Sequence, residues 1–362
     1  MSPKERILSA LSGLETDRMA WSPFLAYWWE DQSTELQAQG QLCFLEEIKA
    51  DPLLRGSHVL FDKQINNCEI STKVSGNDKF TIYETAVGDL CAKHTYVSQG
   101  NTWFLTEHPV KTEEDIKILL YIYENTSLSS SMDKFIQDNK EIGDRGLLVP
   151  LIGIEGKSSF QSLIEYWVGT EELVYMLTDY PKTVEDCLAV MTERSLESVA
   201  ISVDSPAEAF IFWEDSSTTN ISPSYFEKYA SPEIKGYAKH VKSAEKKLIH
   251  HACGHLKGIL TQMAATGIDC IESISPPPTG DIELWDAFKL LPDEICLIGG
   301  IEPTVFLNSG FDELRIYTEN LINRVEGKRF ILANSDSCPP GVSIEKFKLV
   351  SDIVRGFYES HL

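Results

Sequence analysis

Three histidines surround one cysteine in the hexapeptide His250-His251-Ala252-Cys253-Gly254-His255. Imidazole nitrogen and thiolate sulfur are the two donors zinc takes most readily, and the same pair of side chains can form a nucleophile and its base. In the preceding KLI the strand period of two sends Ile249, His251 and Cys253 to one face and Leu248, His250 and Ala252 to the other. His251 and Cys253 can therefore chelate one ion together if other loops add ligands. A hydrogen-bonded core histidine beside an inert core cysteine explains His-x-Cys just as simply. A Cys-His dyad fits less well, because the two residues lie close together on one rigid strand and no orienting Asn or Asp is suggested by spacing. Cys338 follows the last apolar strand in FILANSDSCPPG. A thiolate there completes a His-Cys-Cys set whose open fourth position suits a catalytic zinc, since closed structural sites use paired C-x-x-C knuckles, absent from this chain. The alternative for Cys338 is a buried loop cysteine ahead of two prolines.

Carboxylates recur at the ends of apolar runs: Glu155 in LIGIEG, Glu214 and Asp215 in FWED, Glu272 in IESIS, Glu302 in GGIEP and Asp336 in NSDS. Such groups serve as a further metal ligand, as general acid or base, or as substrate anchors, and equally as N-caps of the helix that follows. Glu155 and Asp215 are the acid–base candidates. Trp213 and the Tyr27-Trp28-Trp29 cluster can wall a pocket for an apolar or planar ligand, or belong to the core. The expected pocket is Trp28, Trp213, Glu214, His255 and Glu272, with His255 opening the following helix.

The elements that would position these residues alternate. Apolar strand runs at 147–154, 209–215, 247–254, 269–275, 295–301 and 329–336 are separated by helical patterns near 158–202, 223–246, 256–266, 282–291, 310–326 and 343–360. Short apolar strands between helices imply a parallel sheet covered on both faces. An early strand at 19–26 and one from 57–61 bring the number to eight, the count of a distorted (β/α)8 TIM-type barrel, whose active site lies at the C-terminal ends of its strands. No glycine-rich phosphate fingerprint follows the first strand, which disfavours a dinucleotide-binding sheet. Residues 1–362 are expected to form one such domain, carrying a mixed-strand insertion at 57–110. SPKERILSALSG reads as a capped leading helix ended by Gly13.

Acidic residues number 55 against 32 basic ones, for a net charge of −23. That balance repels nucleic acid and anionic membranes, so neither is expected as a partner. The eight scattered cysteines suggest reduced thiols, and Lys4, Glu5 and Arg6 stand where a signal peptide needs an apolar core. A soluble, uncleaved, cytoplasmic protein is expected.

Several longer stretches, in their order along the chain, resemble the uroporphyrinogen decarboxylase superfamily over nearly its full length: SPKERILSALSGLETDRMAW, TIYETAVGDL, SPSYFEKYASPEIKGYAKHVKS, HACGHLKGIL, GIDCIESISPPPTGDIEL and IGGIEPTVFL. Porphyrin decarboxylases of that superfamily carry an RQAGRY stretch that grips substrate carboxylates. Here the region reads SPFLAYWWEDQ, and no arginine lies between Arg18 and Arg55. Where they have a lysine-glycine pair, this chain has His251-Ala252-Cys253-Gly254. His-x-Cys with a later cysteine is similar to the zinc-dependent methyltransferases of corrinoid systems, among them the methylcobalamin:coenzyme M methyltransferases. The resemblance implies zinc at His251, Cys253 and Cys338, with Asp336 competing as third ligand. It further implies a corrinoid (methylcobalamin) presented by a partner protein, and a small thiol or methoxylated compound as methyl acceptor or donor. A porphyrinogen decarboxylase is the alternative within enzymes, and an arginine-lined deep cleft would mark it. A non-catalytic corrinoid-binding protein with a structural zinc is the alternative outside them.

Overall fold

The structure, a computed structural model, describes residues 1–98 and 102–359. It divides into two compact units, one made of Met1–Val59, Met132–Leu151 and Ser205–Leu362, the other of Leu60–Ser131 and Ile152–Asp204.

In the first unit eight parallel strands curl into a (β/α)8-type barrel: β1 (Ala20–Trp21), β2 (Leu53–Val59), β3 (Leu147–Leu151), β4 (Ala209–Glu214), β5 (Lys247–Ala252), β6 (Cys270–Ile274), β7 (Cys296–Ile301) and β8 (Phe330–Asn334). Their order is β1-β8-β7-β6-β5-β4-β3-β2. The six later strands follow the apolar runs of the sequence, trimmed by one to three residues where the chain turns. The early strand expected at 19–26 shrinks to two residues, because Ala26–Glu30 winds into a short helix. The barrel is distorted at two places: β3 and β4 share a single ladder pair, Ile211 with Leu151, and β1 meets β2 through Asp51 N–H to Trp21 O (2.7 Å) and Leu53 N–H to Ser22 Oγ (3.2 Å).

The interior is filled by alternate residues of the strands, among them Val149, Ile211, Ile249, Cys270, Ile298 and Ile331. The leading helix Pro3–Ser12 adds Ile7, Ala10 and Leu11 to the same core, starting from a Ser2/Glu5 capping box and ending at Gly13 in the left-handed conformation. Asp51, fully buried, accepts hydrogen bonds from Arg6, from Arg18 (2.7 and 2.9 Å) and from Trp21 N–H (3.0 Å). A buried carboxylate is tolerable only when paired in this way.

The helical pattern at 256–266 yields one short helix, Leu260–Ala264, so His255 lies in the loop before it and does not open it. The final helix is Ile344–Glu359; residue 360 of the expected 343–360 lies outside the described residues.

The second unit carries a four-stranded antiparallel sheet of Cys68–Ser75, Asp78–Thr85, Gly88–Val97 and Thr102–Glu107, all within the 57–110 stretch. It also holds the antiparallel pair Phe61–Ile65 and Thr126–Ser130. The long pattern at 158–202 breaks here into Ser159–Ser162, a π-turn at Leu163–Trp167, Thr170–Asp179 and Pro181–Ser202. Gly169 at φ 89° and Pro181 are the breakers. No helix among the described residues is long and apolar enough to cross a membrane.

Candidate functional site at the strand ends

Ladder register brings three side chains into one row: Trp213 on β4 pairs with His251 on β5, which pairs with Glu272 on β6. Ile211 and Ile249, two residues earlier on their strands, are core residues, so Trp213 and His251 share the inward parity. The His251 ring lies 5.4 Å from that of Phe24 and 6.5 Å from that of Trp213.

His251 Nδ1 is 2.8 Å from Glu272 Oε2, and the other carboxylate oxygen is held by Arg55 Nε. Arg55 and Glu272 are each 2% exposed in their side chains. Burial alone would push the Glu272 carboxyl up, but the Arg55 charge and the His251 hydrogen bond outweigh it and hold the group below its ordinary value. Glu272 is thus an ionised acceptor, so Nδ1 carries the proton and donates it, and in the neutral ring the lone pair is on Nε2. Nε2 looks toward Asp336, whose Oδ1 is 3.7 Å away. Arg55 is anchored in turn, donating from its Nη atoms to Leu53 O and Ser22 O, both at 3.1 Å.

The backbone takes left-handed conformations at two places beside this row. Ser273, next to Glu272, has φ 86° at a bulge between Glu272 and Ile274, and a non-glycine residue in that region is held there only by its surroundings. Gly254, following Cys253, has φ 87°, and a Cβ on it would sit 2.5 Å from Ser217 Cβ. Glycine is what lets the chain turn beside Cys253. The buried polar atoms Ser57 Oγ, Trp213 Nε1, Ser273 Oγ and Ser275 Oγ have no hydrogen-bond partner among the described residues, so this end of the barrel holds spare donors and acceptors.

The sequence-derived residues divide. Cys253 is half-buried with Sγ 3.7 Å from Glu214 O. Cys338 is fully buried, its Sγ 3.9 Å from Pro339 O, and burial pushes its thiol well up. Its N–H donates to Phe24 O at 2.9 Å, so its loop adjoins the ring that packs on His251. Asp215 Oδ2 accepts from Asn220 Nδ2 at 2.7 Å, close to the Gly254 turn. His255 occupies the same turn, its N–H donating to Ser217 Oγ at 3.0 Å.

Two expectations for the pocket are corrected, and two further carboxylates are placed. Trp28 is a core residue, 1% exposed, donating from Nε1 to Val342 O (2.7 Å) and packed on Phe44 and Phe347. Glu214 has the outward parity of β4, and its carboxylate meets Ser216 Oγ (2.9 Å) and His250 Nε2 (3.3 Å) beneath the Phe212 ring. Glu302 caps its helix, accepting from Val305 N–H at 2.8 Å. Glu155 belongs to the second unit, where it accepts from Trp167 Nε1 at 3.2 Å. Sequence reasoning missed Arg55 and Phe24. A single arginine inside the strand LLRGSHV was the available signal, since a buried guanidinium demands a buried carboxylate.

Zinc suits these donors by type, and an imidazole steadied at Nδ1 by a carboxylate is how a ligating histidine is usually held. The sulfurs are not drawn up to it: among the described residues no three His, Cys, Asp or Glu side chains form a group that could hold a metal ion.

Over its full length the fold is similar to that of a methyltransferase from Methanosarcina mazei, with a TM-score of 0.63 at 15% identity, covering 99% of each chain. In sequence the chain is similar to a uroporphyrinogen decarboxylase of Chlorobaculum tepidum, 26% identical over 204 residues, or 54% of this chain and 55% of that protein. It thus spans about half the length of the curated relative it matches. The uroporphyrinogen decarboxylase (URO-D) family model matches residues 104–357, a stretch that takes in β3 to β8 together with His251, Glu272 and Cys338, and the chain belongs to that family.

Proposed function

We propose that this URO-D family member is a zinc-dependent methyltransferase, moving a methyl group between a corrinoid carried by a partner protein and a small thiol or methoxylated compound. The observation that carries the reading is the Arg55–Glu272–His251 relay. It fixes the tautomer of His251 and offers Nε2 at the active-site end of the barrel, two residues before Cys253. His251, Cys253 and Cys338 would hold the zinc, with Asp336 the competitor for the third position. Bound zinc supplies the Lewis acidity that lets a thiol react as its anion near neutral pH.

The chain's own residues do the rest. Glu272 keeps the Nδ1 proton in place, Phe24 and Trp213 flank the imidazole, and the unpaired Trp213 N–H is a donor for an ether or hydroxyl oxygen of a substrate.

Decarboxylation of a porphyrinogen is the second reading, favoured by the family and by the Chlorobaculum relative. Against it stands the use made of arginine. An octa-anionic substrate wants free guanidinium groups, whereas Arg55, the arginine beside His251, is committed to Glu272, and Arg6 and Arg18 are committed to Asp51.

Metal analysis of protein purified without chelator, followed by methylcobalamin demethylation over a panel of thiols and methoxylated compounds, tests the proposal. About one zinc per chain and thiol-dependent loss of the methyl–cobalt chromophore are expected. Protein without zinc, or zinc content unchanged by H251A and C253A, removes its basis; decarboxylation of uroporphyrinogen with no demethylation selects the second reading.

A further inference from the structure

The second unit has a cavity of its own, about 210 Å³, which contains none of the proposed zinc ligands. Tyr83, Tyr166 and Trp167 form aromatic walls, Leu105 and Pro109 supply apolar lining, and Glu155 is the carboxylate among them. The Tyr83 and Trp167 rings are 5.5 Å apart and inclined by 54°, so they present faces at an angle rather than stacking. Glu155 is 9% exposed in its side chain. One of its oxygens takes the Trp167 indole N–H, Lys63 Nζ lies 3.8 Å from the other, beyond hydrogen-bond range, and the buried Tyr123 hydroxyl also faces the carboxylate. Lys157 Nζ sits 4.4 Å over the Tyr166 ring, which shows that an aromatic of this lining already accepts a cation. His94, also in the lining, has a buried Nδ1 with no partner among the described residues, and burial pushes its imidazole toward the neutral form.

We infer that this cavity binds a small methylated ammonium ion, its cationic head among Tyr83, Tyr166 and Trp167 and its charge facing Glu155. Aromatic faces attract cations most strongly where water is excluded, and cages of this kind recognise quaternary ammonium groups. The side chains of Ala92, Leu105 and Pro109 in the lining suit methyl groups on the nitrogen, and the aromatic faces need no N–H donor from the cation. Size agrees: an engineered cavity of about 150 Å³ holds benzene, so 210 Å³ admits a choline-sized cation. A net charge of −23 draws cations toward the protein at long range.

Calorimetric titration of the full chain with choline, and with dimethylbutanol, its neutral carbon isostere, tests the inference. Choline should bind roughly tenfold tighter than the isostere, and E155Q should lower choline affinity roughly tenfold while leaving the isostere unchanged. Equal affinity for the two ligands, no binding of choline, or an E155Q protein that binds choline as well as the wild type overturns it. The wild-type comparison needs no variant, so it decides even if E155Q fails to fold. Neither arm depends on zinc or corrinoid, so failure here is distinguishable from failure of the methyltransferase reading.

Discussion

Glu272 and His251 are direct ladder neighbours on β6 and β5, joined by a 2.8 Å hydrogen bond between Oε2 and Nδ1. The pair is buried, and Arg55 balances its charge from a third strand. Removing the carboxylate strands the guanidinium away from water. E272A should therefore lose about 3–5 kcal/mol of stability in urea denaturation, the usual cost of breaking a buried ion pair from one side. E272Q keeps the shape and should lose less. A loss below about 1 kcal/mol in E272A would mean that solvent reaches Arg55.

The same pair sets an acid dependence. The folded Glu272 carboxyl lies below its ordinary 4.5, because the Arg55 charge and the His251 bond together outweigh burial. The unfolded chain then binds this proton more readily than the folded one, so the contribution to stability is complete above pH 4.5 and is lost as pH falls through the lower folded value. The stability gap between wild type and E272Q should narrow in acid, read from urea midpoints at neutral pH and at about pH 4. A gap that widens in acid would reverse the sign assigned to Glu272.

Cys338 and Asp336, the residues proposed to compete as third ligand of a zinc ion, separate by metal content. Thiolate is the softer donor and holds zinc more tightly than a carboxylate half-open to water, and Asp336 is 39% exposed in its side chain. C338S should lower zinc affinity by roughly 10-fold or more, with D336N changing it by about threefold or less. The opposite ranking would make Asp336 the ligand. Because burial keeps the Cys338 thiol protonated, zinc uptake through it must release that proton, and the affinity should rise with pH.

Much of this site could be read from residue order because period-two alternation is strict. Ile249 in the core forces His251 inward, and His250 stacks on Phe212 in the layer outside. The same parity applied to β4 separates Trp213 from Glu214, although both had been expected in the pocket. Arg55 was harder to see, because its partner Glu272 is 217 residues away in the chain and only the closed barrel brings β2 to face β6. Trp28 misled for a different reason. An aromatic cluster announces burial but not which side it is buried from, and Val342, Phe44 and Phe347 claim it for the core.

Gly254 is the remaining position where a small change has a definite outcome. Its φ of 87° is strained for any residue with a side chain, and an added Cβ would lie 2.5 Å from Ser217 Cβ and 2.7 Å from Ser217 Oγ, the oxygen that accepts the His255 N–H. G254A must therefore push the turn away from Ser217 or unwind it, at a cost of about 1–3 kcal/mol. Since Cys253 immediately precedes the turn, zinc affinity should fall along with the denaturation midpoint. G254A combined with S217G removes the close contact but leaves the φ strain, so it should recover part of the loss. Full recovery would show that the contact, rather than the backbone angle, makes glycine necessary there, and no recovery would assign the whole effect to the angle.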